Sequence, residues 1–317
     1  MNKAIGFIGL GIMGFPMAGH LSKQHNVFVF NRSKEKTKSW IKKYSGTECS
    51  SIKEISQLSD ILFLCVGNDN DVREIISGKD GALEYLKSGS SIVDHTTTSA
   101  DLAVEMRNLL SSKNINYLDA PVSGGQAGAE SGQLSIMVGG KNESYAELKD
   151  ILMIYSKFIK YMGGSGSGQL TKMVNQICIA GLLQGLAEGM NFSERAGLNS
   201  KDVLEVISKG AAQSWQMENR WHTMLNDKFD HGFAVDLMRK DLEIVIKKAK
   251  SENISLEVTK IVNNYYKEIQ KSGVGNGILP VYIRGLKIIF KILLKDIQTH
   301  PTQLQPWLTK LPMNQCL

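Results

Sequence analysis

The sequence predicts an α/β fold in which a doubly wound parallel sheet precedes an all-α domain, the two joined by a long helix. Up to about residue 163, short apolar runs alternate with amphipathic segments, as in βαβ units. The run Ile61–Val66 is apolar throughout, which is typical of a strand covered on both faces. After the glycine- and serine-rich segment 163–168, helix patterns dominate. We therefore expect domains at 1–165 and 166–317.

Seven strands are predicted from the apolar runs, with turn residues between them. They are Ala4–Ile8, Val27–Phe30, Ile61–Val66, Ser91–Val93, Tyr117–Leu118, Ser135–Val138 and a strand near Lys157–Met162. A helix over Phe15–Lys23 is expected after the first of these strands.

The second domain begins with the predicted long helix Leu170–Ala196, which is apolar on most sides and suits a domain or subunit interface. Gly181, Gly185 and Gly189 place a flat stripe on it, which either allows close helix approach or is merely tolerated. Asn199 or Ser200 can cap the next helix, and Asp236 can cap one that runs to about Lys250.

The composition excludes several classes of function. With 42% hydrophobic and 21% charged residues the chain is typical of globular proteins, and its net charge of +6 suits an anionic cofactor and a small carboxylate substrate. A nucleic-acid partner would require a clustered basic face.

Four scattered cysteines indicate reduced thiols and a cytoplasmic location, and the six histidines show no metal-ligand spacing. No apolar run reaches membrane-spanning length, and the glycines near the N-terminus argue against a signal peptide. We expect no metal and no membrane contact.

The first predicted strand leads directly into Gly9-Leu10-Gly11-Ile12-Met13-Gly14, a G-x-G-x-x-G pattern followed by a helix. In this context the glycines allow a tight turn, close approach of a pyrophosphate, and packing of helix on strand. The phosphates would lie at a helix N-terminus, where free N–H groups and the helix dipole attract negative charge. Residues 9–14 therefore predict a Rossmann-type dinucleotide site.

The end of the second strand indicates which dinucleotide is bound. An NAD site usually places a carboxylate about 20 residues past the glycines, whereas this chain has Asn31, Arg32 and Ser33 there. A guanidinium can bind a 2′-phosphate through two hydrogen bonds. We therefore expect NADP, with NAD as the alternative; Arg32 could also be a solvated residue at a helix start.

Two further segments contain candidate chemistry. Ser123-Gly124-Gly125 follows a short strand and could present backbone N–H groups and a hydroxyl to a carboxylate, or could be an ordinary turn. Lys172 and Asn175 share a helix face. A lysine buried in an apolar helix has a lowered pKa and can exchange a proton near neutral pH; the alternative is a lysine that reaches solvent. Lys240 could reach an anionic group or lie on a solvated face.

Together these segments resemble the β-hydroxyacid dehydrogenases, which include 3-hydroxyisobutyrate dehydrogenase, tartronate semialdehyde reductase and the glyoxylate/succinic semialdehyde reductases. Four ordered motifs match, spread over residues 4 to about 275. They are Gly-Phe-Ile-Gly-Leu-Gly-Ile-Met-Gly (6–14), Asp-Ala-Pro-Val-Ser-Gly-Gly (119–125) with Met-Val-Gly-Gly (137–140), Gly-x-x-x-Lys-x-x-Asn-Gln (168–176) and Lys-Asp-Leu (240–242).

The resemblance implies reversible NADP(H)-dependent hydride transfer between a small 3-hydroxyacid and its semialdehyde. Lys172 would be the acid/base, assisted by Asn175, and residues 123–125 would bind the substrate carboxylate. Val66, Gly67, Thr97 and Lys240 match positions that contact the cofactor. His95 departs from the usual family pattern.

Three other functions stay open: a 6-phosphogluconate dehydrogenase-like activity, an imine reductase, and a non-catalytic NADP-binding module. The long apolar helix indicates a homodimer or homotetramer. Residues 278–317 depart from the family, which generally has Gly-Asp-x-(x)-Ser and a short helix there. Reading the codons one base earlier could recover that pattern, so we interpret this tail as a possible product of a frameshift.

Overall fold

The computed structural model describes residues 3–226 and 234–271. These residues divide into two compact units: one contains 3–178 and 240–255, and the other contains 179–226, 234–239 and 256–271. The division lies within a long helix rather than before it, since the first part of that helix packs with the sheet. The boundary near 165 stays a prediction, and the atypical tail 278–317 lies outside the described residues.

The first unit is built on a mixed sheet in the order β3-β2-β1-β4-β5-β6-β8-β7, with β9 paired to β8. The strands are β1 (Ala4–Ile8), β2 (Asn26–Phe30), β3 (Thr47–Glu48), β4 (Ile61–Leu64), β5 (Ser91–Asp94), β6 (Asn116–Asp119), β7 (Val122–Ser123), β8 (Leu134–Gly139) and β9 (Ser156–Gly163). Strands β1 to β6 are all parallel, β8 is antiparallel to β6 and β7, and β9 is parallel to β8.

All seven predicted strands are present, with ends shifted by up to two residues. Two strands were missed, Thr47–Glu48 and Val122–Ser123, because a two-residue strand is too short to show a hydrophobic period. The second of these matters for the site, since the predicted substrate loop begins as a strand paired to β8 rather than as a free turn.

Helices cover both faces of this sheet, as the apolar strands require. They are α1 (Gly14–Leu21), α2 (Lys34–Lys43), α3 (Ile52–Leu58), α4 (Asp69–Ser77), α5 (Ala82–Tyr85), α6 (Ala100–Ser111), α7 (Gly125–Glu130) and α8 (Asn142–Met153). Every residue of β4 is buried, which confirms the interpretation of its continuous apolarity. Two apolar cores lie on opposite sides of β4: Phe63 belongs to one, and Leu62 and Leu64 belong to the other. Each such side chain contributes about 1.5–3 kcal/mol through burial.

The remaining described elements are helical, which confirms the predicted fold class. They are α9 (Ser167–Arg195), α10 (Ser200–Ile207), α11 (Trp215–Leu225), α12 (Val235–Ser251) and α13 (Glu257–Lys271). Asn199 caps α10 by accepting a hydrogen bond from Lys201 N at 3.1 Å. Asp236 was predicted as a cap but lies inside the first turn of α12, where it accepts a hydrogen bond from Gln270.

The glycine stripe of α9 does not meet another helix closely within the described chain. A Cβ on Gly185 or Gly189 would meet nothing within 4 Å, and one on Gly181 would meet only Val258 at 3.9 Å. These data favour glycines that are tolerated in the second unit.

Among the described residues, no helix has the length and apolarity needed to cross a membrane, and no group of three or more His, Cys, Asp or Glu is arranged to hold a metal ion. The expectations of no metal, no membrane contact, no nucleic-acid partner, a cytoplasmic location and a homodimer or homotetramer stay predictions.

Candidate active site

The glycine motif forms a tight turn between β1 and α1. Gly9 has a φ of +100°, and a Cβ there would collide with the carbonyl group of Cys65. A Cβ on Gly14 would collide with the carbonyl oxygen of Gly9. A Cβ on Gly11, by contrast, would meet nothing within 4 Å. Two glycines therefore permit the turn and its packing, and Gly11 leaves open space in front of the helix.

The outer face of this turn fits the pyrophosphate of a dinucleotide. Leu10 N–H donates to Asn31 Oδ1 at 2.9 Å, and Asn31 Nδ2 donates to the carbonyl oxygen of Ser33 at 3.2 Å. Ile12 is exposed, and Met13 is the residue directly before α1. The first turn of α1 contains no acidic residue. The positive end of the helix dipole is therefore not neutralised by the chain itself.

A cavity of about 640 Å³ opens beside the turn and is lined in part by Gly11 and Ile12. Lys36 and Lys43 also line it, against the single carboxylate residue Glu130. An excess of cationic side chains next to the open glycine favours an anionic occupant.

Arg32 extends into solvent, with 86% of its side chain exposed, and its Nη1 lies 3.4 Å from Asp71 Oδ1. An exposed pair of this kind is worth about 0–1 kcal/mol, so a phosphate could readily replace it. Ser33 donates its hydroxyl to Glu35 Oε2 at 2.8 Å. Arg32 is thus available to an incoming anion, whereas Ser33 already has a partner.

The loops after β4 and β5 bring together the four other predicted cofactor residues. Val66 N–H donates to Thr96 Oγ1 at 3.1 Å. Lys240 Nζ donates to the carbonyl oxygens of Gly67 at 3.0 Å and Thr97 at 2.6 Å. Lys240 therefore binds two backbone carbonyls at the end of the sheet instead of lying on a solvated helix face.

Lys172 lies on the first part of α9 and is buried, with 8% of its surface exposed. Its Nζ donates to the carbonyl oxygen of Val122 at 2.8 Å. Burial lowers the pKa of Lys172 to about 8, an effect that Asp241 opposes and Lys240 reinforces. The alternative of a lysine reaching solvent is wrong for this structure, and an amine with this pKa can give or take a proton near neutral pH.

A chain of hydrogen bonds joins the predicted substrate loop to α12. Ser123 Oγ donates to Asn175 Oδ1 at 3.2 Å, and Asn175 Nδ2 donates to Gln176 Oε1 at 2.8 Å. Gln176 Nε2 then donates to Asp241 Oδ2 at 2.6 Å, while Lys240 Nζ lies 3.2 Å from Asp241 Oδ1. The carboxylate at the end of the chain orients each donor in turn. To bind a substrate carboxylate, the Ser123 hydroxyl would turn away from the amide that it now contacts.

The two glycines after Ser123 keep the loop open. Gly124 and Gly125 have φ values of +136° and +62°, a region that favours glycine. Both are exposed, and a Cβ on Gly125 would meet nothing within 4 Å. Their backbone N–H groups can therefore be approached by a small anion.

Sequence reasoning missed Asp241, which is 2% exposed and affects the charge of the predicted acid/base. Burial raises the pKa of Asp241, and the nearby Lys240 and Lys172 lower it. The only signal in the sequence was a carboxylate next to Lys240 at an otherwise apolar helix position. The same pattern is equally typical of an exposed ion pair on a helix surface.

His95, the residue that departs from the family pattern, directly follows β5 and is buried. Its Nδ1 donates to the carbonyl oxygen of Ala120 at 2.6 Å, which leaves Nε2 to accept from the Tyr155 hydroxyl at 2.8 Å. The ring stacks on Phe63, and burial lowers the pKa of His95 to about 4. This histidine is therefore a neutral core residue at pH 7.

Comparisons with known proteins identify the family. Residues 4–164 match the NAD binding domain of 6-phosphogluconate dehydrogenase, and residues 166–277 match the NAD-binding domain of NADP-dependent 3-hydroxyisobutyrate dehydrogenase. An uncharacterized oxidoreductase of Shewanella frigidimarina is 51% identical over 84% of this chain and 92% of its own length. The probable 3-hydroxyisobutyrate dehydrogenase-like 1 of Arabidopsis thaliana is 38% identical over 87% of this chain and 82% of its own length.

The fold is also that of a solved structure, Psf3 in complex with NADP+ and 2-OPP. It has a TM-score of 0.83 and 25% identity, and the match covers 89% of this chain and 99% of Psf3. Sequence motifs, fold and domain matches agree, and the chain therefore belongs to the β-hydroxyacid dehydrogenase family and is an NAD(P)-dependent hydroxyacid oxidoreductase.

Proposed function

We propose that this enzyme interconverts a short 3-hydroxyacid and its semialdehyde with NADP(H), and that Lys172 is the acid/base. The observation that carries the proposal is a buried ammonium group 2.8 Å from the carbonyl oxygen of Val122, directly before the loop 123–125, whose two glycines are exposed. An anion bound by that loop would place its neighbouring carbon atoms close to the lysine. A 3-hydroxyacid has its reacting hydroxyl two carbons from its carboxylate, so it suits this spacing.

In the oxidation, the neutral amine of Lys172 takes the proton of the substrate hydroxyl as the carbon loses a hydride. In the reduction, the ammonium group returns that proton to the forming alkoxide and stabilises its negative charge. When bound at the glycine turn, a nicotinamide dinucleotide would supply the hydride acceptor for the oxidation and the hydride donor for the reduction. Asn175, three residues further along α9, orients Ser123 through the hydrogen bond at 3.2 Å.

NADP is proposed as the preferred cofactor because Arg32 is exposed where an NAD site would have a carboxylate. Psf3, which shares the fold, was solved with NADP+. The two lysines that line the cavity beside the glycine turn also favour a cofactor with more negative charge.

Replacement of Lys172 by alanine tests the acid/base role. The loss of a general acid/base lowers turnover about 10²- to 10⁴-fold, whereas NADPH affinity, measured by fluorescence titration, should change little. The substrate is chosen beforehand from a panel of small semialdehydes by monitoring NADPH oxidation with the wild-type enzyme. Lys160→Ala, at an exposed position on β9, is the matched control. Wild-type turnover in the Lys172→Ala enzyme would reject the proposal.

A further inference from the structure

Gln169 lies in the first turn of α9 and is fully buried, with 0% of its surface exposed. Both ends of its side-chain amide are bonded to the loop that follows β5. Its Oε1 accepts from Thr98 N–H at 3.0 Å, and its Nε2 donates to the carbonyl oxygen of Thr96 at 2.7 Å. The amide thus bridges the first and last residues of a three-residue segment, Thr96 to Thr98, which we name the clamp loop.

The clamp loop contacts the predicted cofactor residues from its other side. Thr96 Oγ1 accepts from Val66 N–H at 3.1 Å, and the carbonyl oxygen of Thr97 accepts from Lys240 Nζ at 2.6 Å. A cofactor that touches Val66, Thr97 or Lys240 therefore presses on the same loop that Gln169 holds.

The backbone around Gln169 is held equally firmly on the opposite side. Asp119 accepts from Gly166 N–H at 2.8 Å and from Gln169 N–H at 3.0 Å. Gly139 and Gly168 pack against this carboxylate so closely that neither could carry a Cβ without displacing it. The first turn of α9 is thus bonded to Asp119 through its backbone and to the clamp loop through the Gln169 side chain, so the clamp loop and the helix that contains Lys172 are directly connected.

We propose that Gln169 is a positioning residue that couples the clamp loop to Lys172, so that a correctly bound cofactor also aligns the acid/base. Lys172 follows Gln169 by three residues, which places the two on neighbouring positions of one helix face. This inference rests on the proposed role of Lys172. Gln169 has no role in the chemistry itself, and its effect on turnover passes through the lysine.

A double-mutant cycle separates this role from ordinary structural support. Gln169→Leu keeps the side-chain size and removes both hydrogen bonds. We expect it to lower turnover at least tenfold and to weaken NADPH binding about tenfold in the wild-type background. In the Lys172→Ala background it should weaken NADPH binding to the same extent but leave the residual turnover unchanged, because the residue to be aligned is gone.

An equal loss of turnover in both backgrounds would overturn the inference and indicate a purely structural role, as would unchanged turnover in Gln169→Leu alone. If Lys172→Ala itself turns over like the wild type, the proposed function has failed instead, so the two failures are distinct. Ser156→Ala, which removes a buried hydroxyl from β9, controls for the loss of a buried hydrogen bond away from the loop.

Gln169→Glu provides a second test should the leucine variant not fold. A carboxylate can accept from Thr98 N–H but cannot donate to Thr96, whereas the protonated acid can do both. Its turnover in the reduction, divided by that of the wild type at each pH, should therefore rise as the pH is lowered from 8 to 6. A ratio that stays constant over this range would contradict the inference.

Discussion

Lys172 donates its Nζ to the backbone carbonyl of Val122 at 2.8 Å, and the next residue along the chain is Ser123. The candidate acid/base thus bonds directly to the residue before the candidate substrate loop, and the loop is also bonded to α9 through Ser123 and Asn175. Because the acceptor is a neutral carbonyl, this contact compensates only part of the cost of burying the ammonium group. The lowered pKa of Lys172 follows from that incomplete compensation.

The pH dependence of the two directions should be opposite. With a Lys172 pKa of about 8, reduction of the semialdehyde requires the ammonium form, so its kcat/KM is level below pH 8 and falls about tenfold per unit above it. Oxidation of the hydroxyacid requires the neutral amine, so its kcat/KM rises up to about pH 8 and then levels. Steady-state kinetics from pH 6 to 10 in both directions measure this, and inflections of the same sign would contradict the assignment.

Asp241→Asn should move that inflection to lower pH. The carboxylate of Asp241 stabilises the charged form of Lys172 and raises its pKa, so removing the charge makes the ammonium easier to deprotonate. At pH 7.5 the kcat/KM of the variant for the reduction should therefore be several-fold below the value that the same variant reaches at low pH. Asp150→Asn, at an exposed position on α8, is the charge-matched control. An inflection that stays at about 8 would show that Asp241 does not act on this lysine.

Arg32→Glu should change the cofactor preference. Loss of a charge-assisted contact to the 2′-phosphate, with a like charge put in its place, should raise KM for NADPH about tenfold to a hundredfold. KM for NADH should stay the same or fall. Lys38→Glu makes the same type of charge change at an exposed position on α2 and should leave the preference intact. The measurement is the ratio of kcat/KM for the two cofactors, and an unchanged ratio would remove Arg32 from the phosphate site.

His95→Gln should make the protein less sensitive to acid. Since burial lowers the pKa of His95 to about 4, the folded state disfavours the charged ring. The stabilisation of the folded state by the neutral ring is present above the unfolded pKa of 6.5 and is lost as the pH falls through about 4. Between pH 7 and 4 the wild type should lose about 3 kcal/mol more unfolding free energy than the variant.

Urea titrations at several pH values measure this difference. Asp94 and Asp119, whose pKa values burial raises to about 6, are present in both proteins, so their opposite pH dependence cancels in the comparison. Parallel stability curves for the wild type and the variant would show that His95 titrates normally.

The local sequence determined the glycine turn, the seven longer strands and the helical second part of the chain. Each of these depends on neighbouring residues alone: a continuous apolar run for β4, three glycines at fixed spacing for the turn after β1, and a long stretch that is apolar on most sides for α9. Such signals survive without knowledge of the fold because the steric and hydrophobic causes act within a few residues.

Only the tertiary structure decided which side chains meet. Asp241 lies 69 positions beyond Lys172, and Asp119 precedes Gln169 by 50, yet each is buried beside its partner. Elements distant in sequence decide how much water is excluded from a lysine. They also decide whether a nearby carboxylate forms an exposed or a buried ion pair with it. Burial and distance set the strength of these electrostatic interactions, and neither quantity is a property of the local sequence.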